Sequence, residues 1–468
     1  MEYKPTIGLE IHVELKTKTK MFCRCLNDRD EEHPNMNVCP VCMGHPGTLP
    51  VANEEAIKKV LLVGKALKGK LATFSQFDRK NYFYPDLPKG YQISQYKYPL
   101  VEGGELNGIK ITRVHLEEDT GRLLHDGADS LVDFNRSGVP LMELVTEPDI
   151  ESGAEVRKFA EELQLILRYL NVSDADMEKG QMRVEVNISV SKDQKRGTKV
   201  EIKNLNSIRA AESSVDFEIK RQSELLERGE KIAQETRGWD EGRQVTFSQR
   251  EKEESHDYRY FPEPDLPALN LATLGIAELI VPELPQQKRK RFKEEYGIKD
   301  EAVEMFIRDQ KFSDYFEEVI SELKTSSPEA APLAVNYLTS DLQSLMKEKM
   351  LSFKELQVTP ENFAELIAMI AENKITSRAA KDVLRKMVEE GGDPSIIVDE
   401  LGLAQKNDSS SIGPVIDKVI EENKMAVEDY KKGKEASLQF LLGQSIKLTR
   451  GSVNPEALKK ALQEKIKQ

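Results

Sequence analysis

The odd positions Ile7, Leu9, Ile11, Val13 and Leu15 are apolar, while Glu10, His12 and Glu14 lie between them. This period of two predicts a strand that buries one face and displays a row of polar ligand types on the other. Met182 to Val190 repeats the pattern: Met182, Val184, Val186, Ile188 and Val190 point inward, and Arg183, Glu185, Asn187 and Ser189 outward. A shorter piece, Val200 to Lys203, follows it. Apolar residues recur at spacings of three and four in Glu54 to Leu67 and in Ala154 to Tyr169, which predicts helices. The chain up to about residue 290 therefore reads as mixed α+β.

Two prolines and a basic run in Val281 to Arg291 (VPELPQQKRKR) interrupt this pattern, and no convincing strand follows. Residues 294–405 read as helical. Thr359-Pro360-Glu361 precedes one apolar helical run, and Gly391-Gly392 follows another. Lys406 to Ser411 (KNDSSS) reads as a polar linker, and a small helical unit completes the chain. The expected division is thus 1–293, 294–405 and 406–468. No internal repeat suggests a solenoid.

At 468 residues the chain exceeds one compact core, which excludes a single small binding module. With 39% hydrophobic and 32% charged residues, it can bury a core beneath a charged exterior. No apolar run is long enough for a membrane helix, and MEYKPTIGLE lacks a basic-then-apolar signal, so the cytosol is the expected compartment. The net charge of -13 means that any grip on nucleic acid must come from a local patch. Residues 406–468 supply a candidate: 12 Lys and Arg against 9 Asp and Glu give +3, so the preceding residues carry -16.

All four cysteines lie between residues 23 and 42, as Cys23-x-Cys25 and Cys39-x-x-Cys42. Two close pairs separated by a loop suit a structural Zn²⁺ with four thiolates, whereas disulfides are disfavoured in a reducing cytosol. With no cysteine left over, a thiol nucleophile is not expected. Gly64 to Leu71 (GKALKGKL) resembles a phosphate-binding loop but has Leu71 where the metal-binding hydroxyl belongs, and a helical segment precedes it. No G-x-S-x-G elbow is present.

An isolated polar face on a strand would mean only solvent. Here Glu10, His12 and Glu14 are joined by His115 to Asp119 (HLEED) and by Arg183, Glu185 and Asn187. Carboxylates gathered in this number repel unless a cation relieves them. Carboxylate oxygens suit Mg²⁺ completed by waters and nucleotide phosphates, and the histidine also admits Mn²⁺. Phe77 to Pro88 (FDRKNYFYPDLP) and Asp257 to Pro267 (DYRYFPEPDLP) share an aromatic and proline signature. Their rings, beside Arg79, Lys80 and Arg259, could stack a base or pack a core.

The strings GLEIHVEL at 8–15, FDRKNYFYPDLPKGYQISQ at 77–95, HLEED at 115–119, LVDFNRSGVPLMELV at 131–145, EIKNLNS at 201–207 and DYRYFPEPDLP at 257–267 resemble the B subunit of the tRNA-dependent aspartyl/glutamyl-tRNA amidotransferase. Ser377 to Leu403 and Asp429 to Pro455 resemble its helical and tail domains. The resemblance implies a cradle domain, a helical domain and a tRNA-binding tail. It also implies a ligase reaction in protein biosynthesis. Misacylated Glu-tRNA(Gln) or Asp-tRNA(Asn) is phosphorylated by ATP on its side-chain carboxylate, then amidated by ammonia. The ammonia comes through a channel from an amidase A subunit that hydrolyses glutamine, and a small C subunit wraps both. The misacylated tRNA can arrive with its non-discriminating synthetase.

Carried onto this chain, the resemblance puts Mg²⁺ and phosphoryl transfer at Glu10, His12 and Glu118, with Lys80 catalytic and Glu117, Asp119, Arg183, Glu185 and Asn187 close to ATP and substrate. Glu185 stands where many members carry Asp, and Thr120 replaces a commoner small apolar residue. The zinc cysteines occur in some members only, so Zn²⁺ at Cys23, Cys25, Cys39 and Cys42 rests on spacing. An archaeal paralogue has an additional domain for which this chain has no room. Two rivals remain. A stand-alone ATP-dependent carboxylate-amine ligase explains the metal face but needs its own amine route. A zinc-containing RNA-binding scaffold explains the cysteines but not the carboxylate strands.

Overall fold

The computed structural model describes residues 3–127, 129–192, 195–251, 258–323, 330–404, 409–449, 453 and 455–467. They form two compact units, Met1–Pro285 and Gln286–Gln468. The expected α+β class holds, with all strands in the first unit among the described residues.

The first unit is built on a ten-stranded sheet. From one edge its path runs Val245–Glu251, Glu235–Asp240, Val200–Leu205, Met182–Ser191, Lys4–Glu14, Pro140–Thr146, Ile109–Glu118, Val101–Glu102 and Lys70–Leu71, with Glu105–Leu106 also paired to Ile109–Glu118. Only Val200–Leu205 and Glu235–Asp240 run parallel; the other pairs are antiparallel. Both alternating segments are strands, and they pair with each other, Ile11 opposite Val184 and His12 opposite Arg183. Their apolar sides carry Ile7, Leu9, Ile11, Val184, Val186 and Ile188. These are buried in one core with the inner faces of the helices Glu54–Ala66, Gly153–Tyr169 and Ile208–Glu227. Helix starts are set locally: the side chains of Asn53, Ser152 and Ser207 accept from backbone amides of the first turn.

The loop-like Gly64 to Leu71 is a helix end, as its context predicts. A Cβ on Gly64 would come within 2.4 Å of the Val101 side chain, so the glycine serves close helix–strand packing rather than a phosphate. The two aromatic and proline segments meet. Phe261 pairs with Arg79 and Pro262 with Asp78, and Asp78–Asn81 in turn pairs with Tyr91–Ser94. Asp257, at the start of the second segment, lies outside the described residues.

Among its described residues the second unit is helical. It begins at Gln286, inside the Val281 to Arg291 segment read as the boundary and ahead of the expected 293/294; the basic run of that segment is itself helical. It forms the helix Pro285–Tyr296, with Pro285 at its first position, where no amide hydrogen bond is lost. Lys288 bridges to Asp314 and Glu317, Arg289 to Glu304, and Arg291 to Glu317. Thr359 caps Pro360–Ala371, and Gly391 ends Ser377–Glu390, as the capping signals predict. In the expected linker, residues 406–408 lie outside the described residues, and Ser409 already opens the helix Ser409–Glu422. The last four helices bury a cluster of their own, including Ile416, Val419, Leu438, Leu441, Leu458 and Leu462.

Candidate active site

Strand register arranges the polar side of the sheet in rows. One row runs Glu185, Glu10, Val145, Arg113; the next runs Arg183, His12, Glu143, His115; a third holds Glu14, Leu141 and Glu117. Side chains two apart on one strand share a face, so these rows project together. Apart from Val145 and Glu14, they line an open cavity of about 420 Å³ that also takes in Lys80, Tyr82, Tyr96, Asp119, Lys203, Tyr258 and Tyr260.

At its centre, His12 Nε2 is 3.8 Å from Glu10, 3.7 Å from Glu117 and 3.4 Å from Glu143. His115 Nε2 is 3.2 Å from the same Glu143 oxygen that faces His12. Burial disfavours charge on His12, yet the hydrogen bond and charge of Glu143 push it up to about 9. The two histidines in turn hold Glu143 well below the usual carboxylate range, against its burial. Glu10 is raised by burial and by the Glu143 and Glu185 carboxylates.

Cations surround this cluster. Lys80 Nζ lies 5.1 Å from the centre of the Tyr258 ring, and the Glu117 charge, with Tyr260 and Glu143, keeps it protonated against desolvation. Arg183 donates to Asp119 at 3.0 Å, and Lys203 to Glu185 at 2.6 Å. Ser94 Oγ donates to Glu117 at 3.0 Å. Tyr96 and Tyr260 stack at 4.4 Å between ring centres, which makes part of the wall a flat aromatic surface.

Of the residues expected from sequence, Glu10, His12, Lys80, Glu117, Asp119, Arg183 and Glu185 converge on this cavity. Glu118 does not. On the strand Ile109–Glu118 it shares the face of Leu116, opposite His115 and Glu117. There its carboxylate accepts from Lys89 Nζ at 2.6 Å and the Ile93 amide at 2.9 Å. It lines a smaller cavity with Cys23, Cys42 and Lys89. Asn187 extends from the same side of its strand as Glu185, one position beyond the cavity rim, opposite Gly8. Glu143 was the residue missed, and His115, read only as part of the HLEED string, was assigned no role of its own. Glu143 is the one charged residue of Pro140–Thr146, and His115 opens the HLEED string; a charge on an otherwise apolar strand was the available signal.

The donors fit a divalent cation. Those of Glu10, His12 and Glu143 lie within 4.8 Å of one another, and imidazole among carboxylates suits Mg²⁺ or Mn²⁺. The sulfurs of Cys23, Cys25, Cys39 and Cys42 also lie within 4.8 Å of one another. Cys39 and Cys42 Sγ are 3.9 Å apart. A tetrahedral Zn²⁺ with bonds of about 2.3 Å requires about 3.8 Å between sulfurs, so this set fits. The Cys23 thiol, the Cys39 amide and Lys20 lower Cys42 to about 4, against burial, which makes it a thiolate ready for metal.

Among the described residues no helix is long and apolar enough to cross a membrane. Residues 5–276 match the family model described as the GatB/GatE catalytic domain, and residues 314–466 match the GatB domain. The B subunit of the aspartyl/glutamyl-tRNA(Asn/Gln) amidotransferase of Carboxydothermus hydrogenoformans is 45% identical over 482 aligned residues, covering 99% of each chain. Its counterpart in Thermotoga maritima is 44% identical with the same coverage, and that of Crocosphaera subtropica is 44% identical over 97% of this chain and 96% of its own. Likeness to one component of a complex along the whole chain favours neither the stand-alone ligase nor the RNA-binding scaffold. With both halves matched and the metal-type cluster seated in the first, the chain belongs to the family of B subunits of aspartyl/glutamyl-tRNA(Asn/Gln) amidotransferases.

Proposed function

We propose that this chain is the kinase and transamidase subunit of a heterotrimeric amidotransferase, working with an amidase A subunit and a small C subunit on misacylated tRNA. The observation that carries the reading is the cluster of Glu10, His12, Glu117 and Glu143, set in one cavity with Lys80 and Arg183. A side-chain carboxylate oxygen of Glu-tRNA(Gln) or Asp-tRNA(Asn) attacks the γ-phosphorus of ATP. The bond from phosphorus to the β–γ bridging oxygen breaks, and ADP leaves. Ammonia attacks the resulting acyl phosphate, phosphate departs with its oxygen, and loss of protons gives the amide.

Such a transfer needs positioning and charge neutralisation more than covalent help. Lys80 and Arg183 supply fixed positive charge to the phosphates, and Asp119 orients Arg183. Glu10, His12, Glu117 and Glu143 would hold Mg²⁺, which supplies Lewis-acid stabilisation of the transferring phosphoryl oxygens. The four cysteines would hold a structural Zn²⁺, since a closed thiolate shell leaves no position for chemistry. The net +3 unit 406–468 would contact the tRNA body, with the chain divided into cradle, helical and tail domains. The setting is cytoplasmic, and a non-discriminating synthetase would supply the tRNA.

The test is tRNA-dependent ATP hydrolysis and Gln-tRNA(Gln) formation by the complex assembled with A and C subunits. Both should require this chain and Glu-tRNA(Gln). ATP hydrolysis at full rate without tRNA or partner subunits would favour the stand-alone ligase.

A further inference from the structure

We propose that Lys20 is the counter-ion of the four-cysteine centre, its buried ammonium offsetting the charge of a zinc tetrathiolate and holding the metal more tightly through Cys42. The inference rests on the reading of Cys23, Cys25, Cys39 and Cys42 as a zinc site and adds to it a residue outside the ligand set.

Lys20 is 1% exposed and ranks among the largest fully buried side chains of the chain. Lysine is almost never buried to this degree unless its charge is met, because the ammonium gives up its hydration. Among the described residues this ammonium meets no carboxylate. It donates to the Phe134 carbonyl at 3.1 Å and lies 3.8 Å from Cys42 Sγ. A carbonyl carries no net charge, so the sulfur is the anion that accounts for a cation in this place.

The backbone fixes the contact. The Lys20 amide donates to the Cys25 carbonyl at 3.0 Å, and the Met21 amide to the Gly138 carbonyl at 2.7 Å. A Cβ on Gly138 would lie 3.5 Å from the Cys42 Cβ and 3.6 Å from the Lys20 Cδ, so the bare backbone of that residue packs over both side chains. Through Phe134 the same ammonium also ties the cysteine loop to the segment that leads into Pro140–Thr146, the strand of Glu143.

The metal's side of the balance asks for the same group. Four thiolates around Zn²⁺ leave a net double negative charge, and the Cys39 amide, 3.1 Å from Cys42 Sγ, offsets only part of it. Among the described residues no other Lys, Arg or His side chain donates to the four sulfurs. An ammonium beside a ligand sulfur stabilises the thiolate and draws electron density from it. Partners of this kind, one step outside the ligands, typically change metal affinity by about 10–100-fold.

The experiment compares complexes that carry the wild-type chain, Lys20→Met and Lys20→Gln. Methionine keeps the buried length without charge, and glutamine keeps a donor without charge. Transfer of zinc to a chromogenic chelator should be at least about tenfold faster from both variants. With Co²⁺ in place of zinc, the sulfur-to-cobalt charge-transfer bands should move to longer wavelength, which a loss of packing alone would not cause. If Lys20→Met does not fold, Lys20→Gln carries the comparison. Wild-type release and wild-type bands in a folded, zinc-loaded variant would overturn the proposal and leave the zinc reading standing. No zinc in the wild-type chain prepared without chelator would overturn both.

Discussion

His12 and Glu143 face each other across adjacent antiparallel strands, with Nε2 and Oε2 3.4 Å apart, although a helix, the cysteine loop and several strands separate them along the chain. Glu143→Gln preserves the shape of this contact and removes its charge. Loss of charge stabilisation at a transferring phosphoryl group costs about 3 kcal/mol, about a hundredfold in rate. The tRNA-dependent ATP hydrolysis of the complex should fall by at least that factor, with glutamine hydrolysis by the partner amidase retained. A rate within twofold of wild type would remove Glu143 from the site.

Neighbouring carboxylates on one strand should behave differently. Glu117→Gln should lower ATP hydrolysis with little change in thermal stability. Glu118→Gln leaves Lys89 partly buried without its anion, and breaking a buried pair costs about 3–5 kcal/mol. Thermal unfolding of the two variants, side by side, checks the assignment; equal melting shifts would contradict it.

Removing the thiolate metal should unfold a loop, not switch off a reaction centre. Cys39→Ser with Cys42→Ser should abolish zinc and lower the unfolding temperature, and any activity loss should track the unfolded fraction. Metal analysis finding no zinc in wild-type protein prepared without chelator would defeat this reading.

Glu218 provides a pH signature away from the cavity. It is fully buried and accepts from Arg221, Gln222 and Thr246, and these contacts, with Arg221's charge, lower its pKa against burial. Because the folded value lies below the unfolded one, its contribution is present above the unfolded value of about 4.3 and fades as pH falls through the folded value. Glu218→Gln should therefore destabilise by about 3 kcal/mol at pH 7, and less as the pH falls. A stability gap that widens on acidification would show the opposite linkage.

Deleting residues 406–468 removes a net charge of +3 from a chain of -13. Binding of tRNA to the complex should weaken, and its dependence on salt should flatten, since fewer counterions are released. Zinc content and assembly with the partner subunits should survive. Unchanged affinity across a salt series would place the grip elsewhere.

The polar face was legible because alternation in Ile7–Leu15 and Met182–Val190 is nearly perfect, and apolar burial on one side leaves the other for chemistry. The parity of His115 and Glu117 was legible too, but carrying the resemblance onto the HLEED string put the metal at Glu118, whose even number puts it on the packed face. Glu143 escaped because Leu141, Met142, Leu144 and Val145 make its strand read as core, and nothing local states which histidine a distant strand will face. Register between remote strands is a property of the assembled sheet. The basic run 288–291 read as a break because its partners, Glu304, Asp314 and Glu317, come later in the chain.

The pairing of Phe261 with Arg79 also orders assembly in time. During synthesis the residues of the His12, Glu143, His115 row all emerge well before Tyr258 and Tyr260 do. At about 5–20 residues per second, that interval is several seconds. A nascent chain can thus acquire its cation cluster while the aromatic wall does not yet exist. Long-range strand pairing of this kind closes slowly, because chain entropy is lost before the contact forms. The half-built cavity is therefore open on the side of its missing edge strand, and a ribosome pausing between residues 191 and 258 would hold it in that state.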